Sequence, residues 1–177
     1  AESEPVFAAN VTSLEEVQPT DLTASEISVR LGATWLPEDV VQEFMYQLLD
    51  TPYYAQWKVK VHYSRYTGGW NVEGKSYDRS NINATSTYGT DRVNAYKIIE
   101  ETLNLRDVRV FDYIEDENGK RVPVLNKKET AIAQGKQELI KQAFQDWIWK
   151  NQPRRERLCR LYNEQFNALR PREYDGS

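Results

Sequence analysis

Val108-Arg109-Val110-Phe111-Asp112-Tyr113-Ile114 and Arg121-Val122-Pro123-Val124-Leu125 flank Asp116-Glu117-Asn118-Gly119. Two β-prone runs around an Asn-Gly step predict a hairpin, because Asn and Gly accept the positive φ angles of a tight turn between twisted strands. Pro123 has no N–H to give to a ladder, so its strand belongs at an edge or a bulge. A second ribbon lies upstream. Trp57-Lys58-Val59-Lys60-Val61-His62-Tyr63 alternates apolar and polar, with Trp57, Val59, Val61 and Tyr63 on the inward face. Thr67-Gly68-Gly69 turns the chain, and Trp70-Asn71-Val72-Glu73-Gly74 returns as the partner strand.

Helical signals surround both ribbons. Asp21 to Glu26 offers N-caps for a short helix over roughly 23–30, stopped by Gly32. Pro37 opens a helix to about Asp50, with Glu38 and Asp39 complementing its dipole and Val40, Phe44 and Leu48 on its apolar face. Thr90 or Asp91 caps a helix bearing Val93, Tyr96, Ile99 and Leu103. A long helix over about 127–150 carries Leu139, Ile140, Ala143, Phe144, Trp147 and Ile148. Pro153 opens another, with Leu158, Leu161, Tyr162, Phe166 and Leu169 on one side, and Pro171 ends it. Residues 78–90, rich in Ser, Thr and Asn, read as a long polar loop of a kind often found to be functional. Without βαβ alternation or an internal repeat, the expected class is α+β: about four to five helices with two β-hairpins.

The 177 residues suffice for one ordinary domain. Residues 1–20 read as an extended acidic arm or linker, 21–170 as a single α+β accessory domain, and 171–177 as a linker. Charge is unevenly spread. Residues 1–57 hold ten acids against one base, Arg30, whereas residues 58–177 carry an excess of bases. No run approaches the roughly 18 apolar residues of a membrane helix, and no secretory leader is evident, so the expected location is the cytoplasm. One cysteine, Cys159, excludes an internal disulfide, and one histidine, His62, removes most zinc sites.

Catalytic signatures are missing. Thr87-Tyr88-Gly89-Thr90-Asp91 has one glycine and no lysine, unlike a phosphate loop. The acids at 112–117 fit a hairpin tip better than a calcium loop. His62 is an unpartnered base, and Cys159, one residue from Leu158, reads as a small buried hydrophobe rather than a nucleophile. No catalytic residue, metal ligand or cofactor site is expected. Binding is the open class. Lys58, Lys60 and His62 share one face of the first ribbon, and Arg65, Trp70 and Lys75 cluster at or beyond its turn. A basic, aromatic ribbon can follow phosphates while a ring stacks on a base. Arg154, Arg155, Arg157 and Arg160 form a second basic cluster, partly offset by Glu156 and Glu164 at i±4 spacing. Solvated surface is the competing reading of both clusters.

Five runs, taken together, point to a family. They are Val29-Arg30-Leu31-Gly32-Ala33-Thr34-Trp35, Trp70-Asn71-Val72-Glu73-Gly74, Tyr88-Gly89-Thr90 with Asn94-Ala95-Tyr96, Leu125-Asn126-Lys127-Lys128-Glu129-Thr130, and the ending from Phe166 to Ser177. They resemble a segment of large bacterial mobile-element and phage proteins that join an adenine-specific DNA methylase region to a Swi/Snf-like superfamily-two helicase motor, some of them antirestriction-like. The resemblance spans roughly residues 22–177. It implies an accessory or connector segment just before an ATP-driven motor, toward which 171–177 would lead. The family's methylase motif and its ATP-binding Gly-Lys-Thr motif have no counterpart here, so no catalytic residue carries over. The partners implied are DNA and the parent's own methylase and helicase regions. The alternative is a structural spacer that docks those regions without touching DNA.

Overall fold

A computed structural model describes residues 20–167. The acidic arm up to residue 19, Leu169, Pro171 and the 171–177 linker lie outside the described residues. The chain divides into two compact units. One is Val29–Ile148; of the other, residues 20–28 and 149–167 are described. The single domain read over 21–170 spans parts of both units.

The architecture is mixed α and β, with two separate two-stranded antiparallel sheets. In the larger unit the order is α1 (Glu38–Leu49), α2 (Tyr53–Gln56), β1 (Lys60–Ser64), β2 (Gly69–Glu73), a π-helical turn (Asn83–Thr87), α3 (Ala95–Leu103), β3 (Phe111–Glu115), β4 (Arg121–Leu125) and α4 (Lys127–Trp147). The smaller unit holds α5 (Gln152–Tyr162) and a π-helical turn (Asn163–Asn167).

The core of the larger unit is helical. Phe44, Met45 and Leu49 of α1, Tyr96, Ile98, Ile99 and Leu103 of α3, and Ile140 and Phe144 of α4 are fully buried. Phe44 meets Phe144 edge-on, with centroids 5.2 Å apart, and Trp147 lies 5.4 Å from Phe44. The first ribbon packs on this core through Val61, Trp70 and Val72. Gly32 permits a tight approach, because at its φ of 98° a Cβ would stand 2.5 Å from the Leu103 carbonyl oxygen.

Helix side chains close the ribbon's two edges. On the β1 side, Glu38 accepts from the Tyr63 N–H at 2.9 Å and Gln42 from the Val61 N–H at 3.0 Å. The Tyr46 hydroxyl reaches the carbonyl oxygens of Val59 and Gln56. On the β2 side, Glu100 accepts from the Val72 N–H at 2.9 Å. Asn104 accepts from the Trp70 N–H at 2.8 Å and donates to the Trp70 carbonyl at 2.9 Å. The spacings match: four helical residues rise about 6 Å and two strand residues about 6.8 Å. A helix running against a strand can thus offer one side chain to every second strand residue.

The same device explains where β3 begins. The sequence predicts a strand from Val108, yet ladder pairing starts at Phe111. Val108 and Val110 give their N–H groups to Gln137 and Thr130 of α4, at 3.1 and 2.9 Å, and Gln134 donates to the Val108 carbonyl. These residues are paired to a helix rather than to a strand. In the smaller unit Asn163 accepts from the Leu22 N–H at 2.8 Å and donates back to its carbonyl at 2.9 Å, while Asn167 donates to the Thr20 carbonyl.

Three other expectations change. Residues 24–26 form a turn, not the helix read over 23–30, with Glu26 bonded to Thr23. Trp57 does not face inward. The chain there is still leaving α2, and Trp57 is 64% exposed. The helix over 95–103 is capped by Asn94, whose side chain accepts from the Lys97 N–H, whereas Thr90 caps the preceding turn.

The polar loop at 78–90 is held by its own side chains. The Asn81 and Asn83 amides both donate to the Leu49 carbonyl at the end of α1, and Asp78 accepts from Asn81 and from the Tyr96 hydroxyl. Gly89 is buried against the π-helical turn, where a Cβ would stand 2.1 Å from the Ala84 carbonyl oxygen. Backbone cannot move aside as a flexible side chain can. Gly89→Ala should therefore cost about 3 kcal/mol or more by urea unfolding.

Glu100 gives a second test. Burial works to raise its pKa, but the Lys75 ammonium at 2.7 Å and the Val72 N–H outweigh that and hold the carboxyl below its ordinary 4.5. A carboxylate lowered in the folded state adds stability above its unfolded pKa and loses it as pH falls through the folded one. Glu100→Gln should cost about 1–2 kcal/mol at neutral pH. The gap from the unsubstituted protein should close as the pH is lowered below 4.5.

Candidate nucleic-acid interface

The structure separates the six ribbon residues singled out from sequence. Trp70 lies in the core at 5% exposure, its ring 5.0 Å from that of Tyr63, and among the described residues its indole N–H has no hydrogen-bond partner. It is a packing residue and cannot stack on a base. Lys75 is committed to Glu100 and to the Val72 carbonyl at 2.9 Å. Lys60 is half-buried opposite Glu73 in the β1–β2 register, and His62 lies 3.4 Å from Glu73 and 4.0 Å from Glu38. The outward face of the ribbon is therefore mixed in charge. Arg65 is exposed in the turn beside a fully exposed Tyr66. Lys58 is exposed as well.

Lys58 sits among aromatic rings. Its ammonium lies 4.8 Å from the Trp57 ring centroid and 5.5 Å from that of Tyr77. The two rings approach edge-on, 6.5 Å apart, with Tyr77 45% exposed. Tyr53 and Tyr54 of α2 add two more exposed rings, at 90% and 63%. This patch of exposed aromatics around a lysine escaped the strand reading, which turned Trp57 inward. Pro52 was the available signal. It opens α2 at Tyr53, and a helical turn there places Tyr53 and Trp57 four apart, on the same side.

In the smaller unit, Asn151 caps α5 by accepting from the Arg154 N–H at 2.9 Å, with Pro153 in the first turn. Arg154 is buried, so it is part of the packing of that helix. Arg155, Arg157 and Arg160 are exposed. Glu156 accepts from Gln152 at 3.2 Å.

Nothing in the described residues assembles a nucleophile with an activating base. Burial pushes the Cys159 thiol up, opposed by Arg155, which disfavours a reactive thiolate. Burial likewise raises the Tyr96 hydroxyl, which is shared between Thr51 at 2.8 Å and Asp78 at 2.7 Å. Among the described residues no group of three His, Cys, Asp or Glu side chains could hold a metal ion. No described helix is long and apolar enough to cross a membrane.

Residues 30–168 match the family described as Domain of unknown function (DUF8437). The chain belongs to that family. No curated protein and no solved structure matches it. The family span begins at Arg30 and includes both the aromatic patch and the exposed arginines of α5.

The two tryptophans should part company on substitution. Trp57→Ala should leave urea stability within about 0.5 kcal/mol. Trp70→Ala should cost about 3–5 kcal/mol.

Proposed function

We propose that this chain is a non-catalytic accessory domain that engages single-stranded DNA through the patch of Trp57, Lys58 and Tyr77, in the service of a larger ATP-driven DNA helicase with a methylase region. The observation that supports this best is the Lys58 ammonium lying over two exposed rings. Aromatic faces accept any base, and a neighbouring ammonium attracts the phosphate that follows. Duplex DNA keeps its bases stacked and offers such rings nothing to lie on. Arg65 extends the positive charge beyond the ribbon's turn. The parent activity rests on the resemblance of the five sequence runs.

A spacer that docks the methylase and helicase regions without touching DNA is the second reading. The exposed apolar side chains of the β3–β4 hairpin favour it.

Titration of a fluorescent oligo-dT of about 15 nucleotides, with a duplex of equal length beside it, decides between them. We expect the single strand to bind more tightly at low salt. Trp57→Ala and Tyr77→Ala should each weaken binding by about 5- to 100-fold. Lys58→Ala should lower the slope of log K against log salt by about 0.7. Loss of retention at low salt, or indifference to all three substitutions, would sink the DNA reading and favour the spacer.

A further inference from the structure

The two hairpins differ in how their edges are treated. Helix side chains frame β1–β2 on both sides, whereas among the described residues no helix side chain bonds to the β3–β4 backbone from Phe111 to Leu125. Bonds from the Asp116 N–H to the Lys120 carbonyl and from the Asn126 N–H to the Val110 carbonyl bracket its ladder. Pairing alternates between them, so Phe111, Tyr113 and Glu115 of β3 turn their N–H and C=O groups outward, as do Arg121, Pro123 and Leu125 of β4. Pro123 has no donor at the middle of the β4 edge, which spoils that edge for a further strand. On the β3 edge only the Phe111 carbonyl is engaged, by the Arg92 guanidinium at 3.0 Å, among the described residues.

Apolar side chains stand exposed on both faces of this arm: Phe111, Tyr113 and Leu125 on one, Ile114 and Val124 on the other. Charge is graded along β3. Glu115, Asp116 and Glu117 stand at its tip end, with Lys120 and Arg121 across from them on the β4 side, and Arg109 stands at its root, where Arg92 pairs with Asp112 at 2.8 Å. Beside the root runs a groove of about 430 Å³, lined by Val93, Lys97, Glu101, Arg106, Arg109 and Phe111 among others. Of its two acids, Glu101 is held by Lys97 and Arg106, at 3.0 Å each, and Asp107 is exposed.

We infer that the partner of this arm is a second copy of the same chain, joined antiparallel through the β3 edges about a two-fold axis at Tyr113. An axis there sets Tyr113 against Tyr113, Phe111 against Glu115 and Arg109 against Glu117, each of the last two pairs occurring twice. Only outward-facing backbone groups are used, with the Phe111 carbonyl accepting from the second copy's Glu115 N–H beside Arg92, so each hairpin keeps its own ladder. The acidic end of each β3 comes to Arg109 at the root of the other. A strand that is positive at one end and negative at the other is self-complementary in this direction and in no parallel one, as an isologous contact requires. The result is one four-stranded sheet in place of two marginal ribbons. This inference does not depend on the nucleic-acid reading.

Sedimentation equilibrium of the whole chain, over about 1–200 μM at low salt, tests it. A concentration-dependent dimer is expected. Arg109→Glu or Glu117→Arg alone should raise the dimer dissociation constant about tenfold, since two ion pairs become repulsive. The double variant should restore it, and an equimolar mixture of the two single variants should dimerise. Tyr113→Pro removes only an outward donor and should abolish association, with near-unchanged far-ultraviolet circular dichroism as the control for folding. A monomer at every concentration, or a dimer indifferent to the single reversals, would overturn the inference. A double variant no better than the singles would overturn it as well.

Discussion

A helical side chain bonded to the backbone of a neighbouring segment is the interaction on which this protein depends. It occurs in four places, always with helix and segment antiparallel: Glu38 and Gln42 on Tyr63 and Val61, Glu100 and Asn104 on Val72 and Trp70, Thr130 and Gln137 on Val110 and Val108, and Asn163 and Asn167 on Leu22 and Thr20. A two-stranded ribbon alone is marginal in water, because half of its backbone groups face no partner. Here those groups are satisfied by polar side chains that are themselves fixed on helices. Each bond contributes about 1 kcal/mol, and leaving a buried one unmade would cost more. The ribbon therefore needs no third strand.

The same interaction sets the contrast between the two hairpins. The β1–β2 ribbon is framed and its aromatic face is spent on the core, which removes Trp70 and Lys75 from any role at the surface. The β3–β4 hairpin leaves the frame at Phe111, where the side chains of α4 no longer reach, and its apolar residues remain in water. Rings at the surface are thus of two kinds. Trp57 and Tyr77 surround a cation and suit a flat, charged ligand, whereas Phe111, Tyr113 and Leu125 lie on a strand with a free edge and suit another strand.

Much of the fold was legible. Asn118-Gly119 and Thr67-Gly68-Gly69 marked both turns, and Pro37 and Pro153 marked two helix starts, because local φ preferences act whatever surrounds them. The interface was less so. Trp57 obeyed a period-two pattern that the backbone does not follow, since the alternation ran on from α2 into β1 across Val59. Lys75 and Arg154 carried the right charge, but burial and pairing are not written in residue type. Glu38 reads only as a complement to its helix dipole, and Gln42, Glu100 and Asn104 carry no signal of their own in sequence. Their bonds join residues 19 to 34 positions apart, which no local rule connects.

By itself, then, the sequence determined the two hairpins, the principal helices and the edge placement of Pro123, all consequences of short-range geometry and residue chemistry. Which aromatics and cations reach the surface was decided only by tertiary structure. The physical reason is that the helices must come to lie beside the ribbons before their polar side chains can close one set of strand edges and leave another open.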